Sequence, residues 1–364
     1  MRIAYLCHYI FNEGIAASGV YKKILHQTQC WCRFGHEVAI FHISRKITEV
    51  PECIQPTWRV FRYTRFSLAS RLHAWEMAAR AILQWQPDVV YHRFDSYYPA
   101  LTSLAREVPM VLEINTADLN EYRLGSPLRC LYNRLTRGLL LREVAGLVFV
   151  SGELPSLPYF SQYHKPHVVI GNGIQLESYN PLPPSHNTTP RLVFLGSTEQ
   201  PWHGVDKILC LADRKSDWMF EIIGLKPDGR NRPNVVFYGA LSRREYEPIL
   251  VKADVAIGTL ALHRKNMNEA SPLKVREYLA YGLPVIIGYK DTDFPESVPF
   301  ILELPNTEDN VMGTIGAIEA FVQEWLGKRV PREAVLHLDT MQKERIRLAF
   351  LREVARHFEK NCLC

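Results

Sequence analysis

Glu269 and Glu277 bracket the run Ser271-Pro272-Leu273-Lys274, and together these residues can seat a diphosphate between two hydroxyl-binding carboxylates. Serine favours a helix N-cap and proline the first helical position, so a helix is expected over 272–281. Gly282 would end it, and 283–287 reads as a buried strand. The unbonded amides near Leu273 and Lys274 would attract an anion, phosphate above all, and Lys274 adds a mobile positive charge. Glu277, one turn further in, can accept two hydrogen bonds from a vicinal diol such as a ribose. Glu269 precedes the helix and is free to reach another hydroxylated group. A nucleotide sugar needs that combination. The spacing alone is also met by ordinary surface pairs, such as Lys274 with Glu277 at i, i+3.

The longer string is more specific. Glu269-x7-Glu277, with Ser-Pro-Leu-Lys inside and Glu-Tyr-Leu-Ala-Tyr-Gly-Leu-Pro-Val-Ile closing it, resembles the donor segment of retaining family-four glycosyltransferases (glycosyl transferases group 1), most closely their Ser-Pro-Leu-Lys subgroup. The resemblance implies an α/β chain of GT-B fold, with two doubly wound Rossmann-like domains facing a cleft. Acceptor would lie on the first domain and nucleotide sugar on the second. It further implies that Glu277 binds the nucleotide ribose, and that Glu269 with the amides of Ser271, Pro272 and Leu273 holds the donor sugar. Transfer in that family keeps the anomeric configuration, the donor phosphate taking the acceptor proton.

The elements that must position these residues alternate. Strand runs at 3–7, 38–43, 89–91, 110–115 and 147–150 are separated by helical stretches at 19–34, 70–85, 98–106 and roughly 120–143. The pattern repeats with strands at 192–196, 220–224, 235–238, 255–259 and 285–287, and helices at 204–212, 243–252 and 272–281. Strand–helix alternation calls for parallel, doubly wound sheets. The expected domains are 1–168, 169–335, and a C-terminal helix in 336–364 that returns to the first domain. The segment opening with Gly171-Asn172-Gly173 resembles the interdomain hinge of the same family.

Ligands of open α/β sheets bind beyond the carboxyl ends of the strands. After the first strand come His8-Tyr9, then Gly14 and Ala17-Ser18-Gly19, where the family carries a glycine-rich turn and this chain matches only at Gly19. After the fourth strand, Leu112-Glu113-Ile114-Asn115 places Asn115 where many relatives have a histidine. Asn115 can hydrogen-bond a hydroxyl but cannot act as a base. Arg93, Glu113 and His8 are acceptor-side candidates. The turn Gly196-Ser197 to His203-Gly204 has Ser197 and His203 where many relatives carry an arginine and a lysine. The diphosphate charge then falls on Lys274 and the helix amides, with His203 contributing if protonated. Gly239 marks the expected base-contacting loop. The expected set is therefore Glu269, Lys274 and Asn115 at the reaction, and Glu277, Ser271, Pro272, Leu273, Gly19, Gly196, His203 and Gly239 around the donor.

No metal or other cofactor is implied, because the helix amides with Lys274 would do the electrostatic work of a metal. At 364 residues, 47% apolar and 22% charged, the chain suits two globular domains. Eight cysteines over this length do not form a disulfide framework, and with no signal peptide or membrane span in the pattern they point to the cytoplasm. Net charge is +5, but residues 1–165 hold 19 Lys and Arg against 13 Asp and Glu. Basic and aromatic residues mingle in Trp58 to Phe66, and Arg129, Arg134, Arg137 and Arg142 share a predicted helix. No nucleic-acid motif accompanies them, so the expected partners are the nucleotide sugar, a glycan or lipid-linked acceptor, and an anionic inner-membrane face contacted peripherally. The alternatives are a nucleotide-sugar epimerase of the same fold and a nucleotide-sugar-binding protein with little turnover. A nicotinamide oxidoreductase ranks below both, because no Gly-x-Gly-x-x-Gly follows a leading strand.

Overall fold

The computed structural model describes residues 1–8, 19–45, 56–198 and 200–362. The chain divides into two compact units, Met1–Gly171 with Thr340–Cys364, and Asn172–Asp339.

In the first unit, runs such as Ile3-Ala4-Tyr5-Leu6-Cys7 are buried along their whole length, as strands covered on both faces must be. The strands are β1 (Arg2–His8), β2 (Glu37–Ser44), β3 (Thr57–Arg62), β4 (Val89–Arg93), β5 (Met110–Ile114), β6 (Gly146–Phe149) and β7 (His167–Val169), interleaved with α1 (Gly19–Arg33), α2 (Leu68–Trp85), α3 (Pro99–Glu107), α4 (Asp118–Gly125), α5 (Pro127–Leu141) and α6 (Pro158–Ser161). They form one parallel sheet in the order β3-β2-β1-β4-β5-β6-β7. The order reverses between β1 and β4, so their carboxyl ends border the crevice where such sheets bind ligands.

Two expectations change here. The single helix over 120–143 is two, α4 and α5, because Pro127 has no amide to continue the ladder; Ser126 caps the new start by accepting from the Arg129 amide at 3.4 Å. Part of the basic aromatic run, Thr57–Arg62, is an edge strand, β3, which pairs Ile40 with Trp58 and Ile43 with Phe61 and keeps Arg59 and Arg62 exposed. Trp58 packs on Tyr21 and Phe61 stacks on Phe41, which leaves Phe66, 88% exposed, as the outward aromatic of that run.

The C-terminal helix, Thr340–Cys362, belongs to this unit. Glu344 accepts from Trp31 Nε1 at 2.7 Å and Gln27 Nε2 at 3.3 Å on α1, while Arg347 donates to the Tyr91 hydroxyl at 2.6 Å.

The second unit contains β8 (Arg191–Leu195), α7 (Val205–Arg214), β9 (Met219–Ile223), β10 (Val235–Gly239), α8 (Arg243–Lys252), β11 (Val255–Ile257), β12 (Glu269–Ala270), α9 (Leu273–Ala280), β13 (Val285–Ile287), β14 (Lys290–Asp291), β15 (Ile301–Glu303), α10 (Asn310–Gly313) and α11 (Ile315–Trp325). Six strands run parallel in the order β10-β9-β8-β11-β13-β15, with β12 and β14 paired separately. The order reverses between β8 and β11. Gly196, just past β8, therefore lies at the switch point, and α9 connects β11 to β13 beside it.

Candidate functional site

The α9 segment starts one residue later than its sequence suggests. Pro272 is the N-cap, and the Ser271 hydroxyl oxygen is taken by the Asn172 amide at 2.7 Å and Arg276 Nη2 at 2.8 Å. Ser271 thus anchors the segment instead of capping the helix. Arg276 is fully buried and spans Asp291 Oδ1 and Oδ2 at 2.7 and 2.8 Å, Asp293 Oδ2 at 2.8 Å and the Asn172 carbonyl at 3.1 Å. All its donors point into this cluster, so it fixes α9 and offers no charge to a ligand. Gly282, at φ +82°, ends the helix, and Leu283 N–H returns to the Tyr278 carbonyl at 2.9 Å.

The first amides of α9 remain open. Val275 and Arg276 donate to the Pro272 carbonyl at 3.1 and 3.3 Å, whereas the Leu273 and Lys274 amides find no acceptor among the described residues. Lys274 carries one of these amides, and its ammonium lies 4.3 Å from the centre of the Phe194 ring, without a hydrogen-bond partner among the described residues. Burial lowers its pKa to about 7, although the residue as a whole is only half-buried along its stem. It is a sealed head group, not the mobile charge its sequence suggests. Tyr278 ties the helix to the switch point, its hydroxyl accepting the Leu195 amide at 2.6 Å.

Glu277 is half-buried and accepts the Tyr246 hydroxyl of α8 at 2.6 Å. Glu269 is half-buried in β12, paired with Lys290 of β14 in the strand before the helix. His203 is buried in the turn ahead of α7, edge-on to Phe194 at 5.6 Å. Burial, with Lys274 and Lys265 nearby, pushes its pKa down to about 3. The ring is neutral in the physiological range and can offer a hydrogen bond, so the cationic role expected for it is withdrawn.

Three glycines close the carboxyl edge of the sheet. Gly196 N–H donates to the Ile223 carbonyl at 2.9 Å, Gly224 N–H to Gly239 O at 2.6 Å, and Gly239 N–H to Leu225 O at 3.1 Å. A Cβ on Gly224, whose φ is +89°, would meet the Gly196 carbonyl oxygen at 2.0 Å. Backbone alone forms this floor, which lets a flat or charged ligand approach closely.

The candidates of the first unit collect at the β1–β4 switch point. His8 Nδ1 lies 2.7 Å from Asp95 Oδ2, and its Nε2 lies 2.8 Å from the Tyr63 hydroxyl. Burial alone would raise the Asp95 pKa, but His8 brings it below the usual carboxylate value. Arg93 donates to the Asn115 side-chain oxygen at 2.8 Å and Lys23 to the same oxygen at 3.0 Å. Glu113 is fully buried, held by Lys23 Nζ at 2.6 Å and Arg93 at 3.3 Å. Burial works against its charge, yet these cations and Arg347 hold the carboxyl far below the ordinary range. Glu113 is therefore the anionic centre of a cation cluster, which corrects its expected acceptor-side role, and Asn115 spends its carbonyl oxygen in the same cluster. Gly19 is the first residue of α1. Tyr9, Gly14, Ala17, Ser18 and Glu199 lie outside the described residues.

Sequence reading missed Phe194, Tyr246, Lys23, Tyr63 and Asp95. Only Asp95 carried a signal, because it lies just past the carboxyl end of β4 as His8 lies at that of β1. Among the described residues, no three His, Cys, Asp or Glu side chains converge as metal ligands, and no helix is long and apolar enough to cross a membrane.

No protein-family model matches the sequence, and no curated protein matches it. Solved structures do match. Sucrose-phosphate synthase of Thermosynechococcus elongatus superposes with a TM-score of 0.66 at 13% identity, covering 98% of this chain and 97% of its own. The lipopolysaccharide outer core galactosyltransferase WaaB gives 0.68 at 10% identity, covering 97% and 99%. Anabaena HepE, solved with UDP and glucose, gives 0.67 at 14% identity, covering 97% and 100%. The likeness establishes the fold: two Rossmann-like sheets in one chain, the GT-B fold of these enzymes.

Proposed function

We propose that the protein is a retaining glycosyltransferase that moves a sugar from a nucleotide-sugar donor to a hydroxyl of a glycan, lipid-linked or small-molecule acceptor, as in polysaccharide biosynthesis. One observation carries the reading: the Lys274 ammonium is buried and without an acceptor among the described residues, and it belongs to the first turn of α9, whose two leading amides are open. A buried cation beside free N–H donors is set for an anion. A diphosphate would recharge Lys274 and satisfy both amides, and the same groups would stabilise it as it leaves.

In this reading Glu277, oriented by Tyr246, holds the ribose diol, and Glu269 holds hydroxyls of the donor sugar. Gly196, Gly224 and Gly239 admit the nucleotide backbone-close, and neutral His203 donates or accepts one hydrogen bond. Lys274 and the amides supply the charge that a metal supplies elsewhere, so the reaction proceeds without one. Acceptor binding falls to the first unit, where His8 and Arg93 are the polar groups nearest the carboxyl ends of β1 and β4. The donor phosphate takes the acceptor proton. That step leaves Asn115, which cannot serve as a base, to keep Arg93 and Lys23 in place.

The test is a nucleotide-sugar panel scored by thermal stabilisation, followed by turnover with acceptor in EDTA and NMR of the product's anomeric proton. Retained configuration in chelator is expected. An inverted glycoside, loss of activity on chelation, or a nucleotide sugar altered without acceptor would overturn the reading. Stabilisation with no turnover on any acceptor would identify a binding protein.

A further inference from the structure

Helix α5 contains no acidic residue, and one of its faces is apolar and open. Leu128, Leu131, Leu135 and Leu139 follow at helical spacing and are 80%, 54%, 71% and 47% exposed. At 100° per residue Arg129 and Arg134 fall on opposite flanks of this stripe, both exposed, and Arg142 caps the end. A leucine stripe flanked by arginines on a surface helix is the pattern of a segment lying in a membrane interface.

A groove of about 600 Å³ runs along one flank of the stripe, between α4, α5 and the residues that follow α6. Arg123, Arg134, Arg137, Leu131, Tyr159 and Tyr163 are among its lining residues, and no acid lines it. Arg137 is 2% exposed and stacks on Phe160 and Tyr159, at 4.6 and 4.9 Å from their ring centres. Its Nη1 donates to Asp118 Oδ1 at 2.9 Å, but Nε and Nη2 have no partner among the described residues, nor has the Tyr159 hydroxyl. Buried guanidinium donors without acceptors are costly, and two adjacent N–H groups with a phenol match the oxygens of a phosphate.

We propose that this groove and the α5 stripe form a docking site for an anionic membrane phospholipid, its phosphate held by Arg137 and Tyr159 while the leucines enter the interface. Charge complementarity selects the occupant: the groove and both flanks of the stripe are basic, whereas a second copy would bring arginines against arginines. The site belongs to the first unit and the donor segment to the second, and the proposal is independent of the transfer reading. The expected membrane contact took in both the Trp58 run and this helix, and the proposal narrows it to α5.

Vesicle co-sedimentation of the whole chain tests it, comparing phosphatidylcholine alone with phosphatidylcholine containing phosphatidylglycerol. Binding to the anionic vesicles only is expected. Leu128→Gln with Leu135→Gln, both at exposed positions that leave the core untouched, should abolish it. Arg134→Gln should weaken it about fivefold, the contribution of one arginine near an anionic surface. Arg137→Met combined with Asp118→Asn, which leaves no buried charge unpaired, should remove the preference for anionic vesicles. The proposal is overturned by equal binding to both vesicles, by binding that survives the leucine substitutions, by glycerol phosphate binding without vesicle binding (a free-phosphate site), or by self-association in sedimentation that the leucine substitutions abolish.

Discussion

Lys274 Nζ stands 4.3 Å from the centre of the Phe194 ring, and that ring is its only cation contact among the described residues. An aromatic face returns about 0.5–2 kcal/mol to a cation. Sealing an ammonium from water costs more than that, which is why its pKa falls to about 7. The sequence places this lysine at a helix start. Only the fold reveals that Phe194 of β8 and His203 of the next turn close over it, and that Arg276, two residues on, is consumed by Asp291 and Asp293.

Replacing Glu277 by Gln keeps its size and its ability to accept from Tyr246, so the fold should persist. Binding of a nucleoside diphosphate should weaken by about 1.5–3 kcal/mol, the scale of a lost charged acceptor. Calorimetry that finds the same affinity in the variant would remove Glu277 from the ribose.

Arg276 is predicted to be structural. Arg276→Met would strip the buried Asp291 of its guanidinium partner, lowering stability by about 3–5 kcal/mol. Arg276→Lys should recover part of this, since a point charge cannot replace the two-pronged contact. Denaturant midpoints equal to wild type in Arg276→Met would show that α9 is held by something else.

Gly224 and Gly239 separate two effects. Both have positive φ, +89° and +67°, but a Cβ would strike the Gly196 oxygen only from Gly224. Gly239→Ala should cost about 1–2 kcal/mol, the left-handed penalty alone. Gly224→Ala should cost more and also weaken nucleotide binding, because Gly196 must move. Equal thermal shifts in the two variants would count against the close-packed strand ends.

The alternating strands and helices were legible because buried parallel strands are continuous apolar runs. Edge strand β3 was not, since Arg59 and Arg62 alternate with its packed aromatics and read as a basic surface. The break at Pro127 does carry a sequence signal, since proline has no amide to continue a helix. Within the donor segment, residue types and spacing located the start of α9 to within one residue. Tyr246, Phe194 and the Glu113 cluster depend on residues dozens of positions away, and no local pattern carries that information.

The central claim is that Lys274 waits for a diphosphate, and proton linkage tests it directly. A base whose pKa is lowered to about 7 is charged below that pH and largely neutral above it. An anion bound beside it restores the charge, so binding above pH 7 must take up a proton and affinity must fall as pH rises. The nucleoside diphosphate that stabilises the protein most should be titrated calorimetrically in buffers of different ionisation enthalpy. At about pH 8 wild type should take up about one proton more than Lys274→Met, and at about pH 6 the difference should vanish. Equal proton uptake by wild type and Lys274→Met at the higher pH would contradict the account.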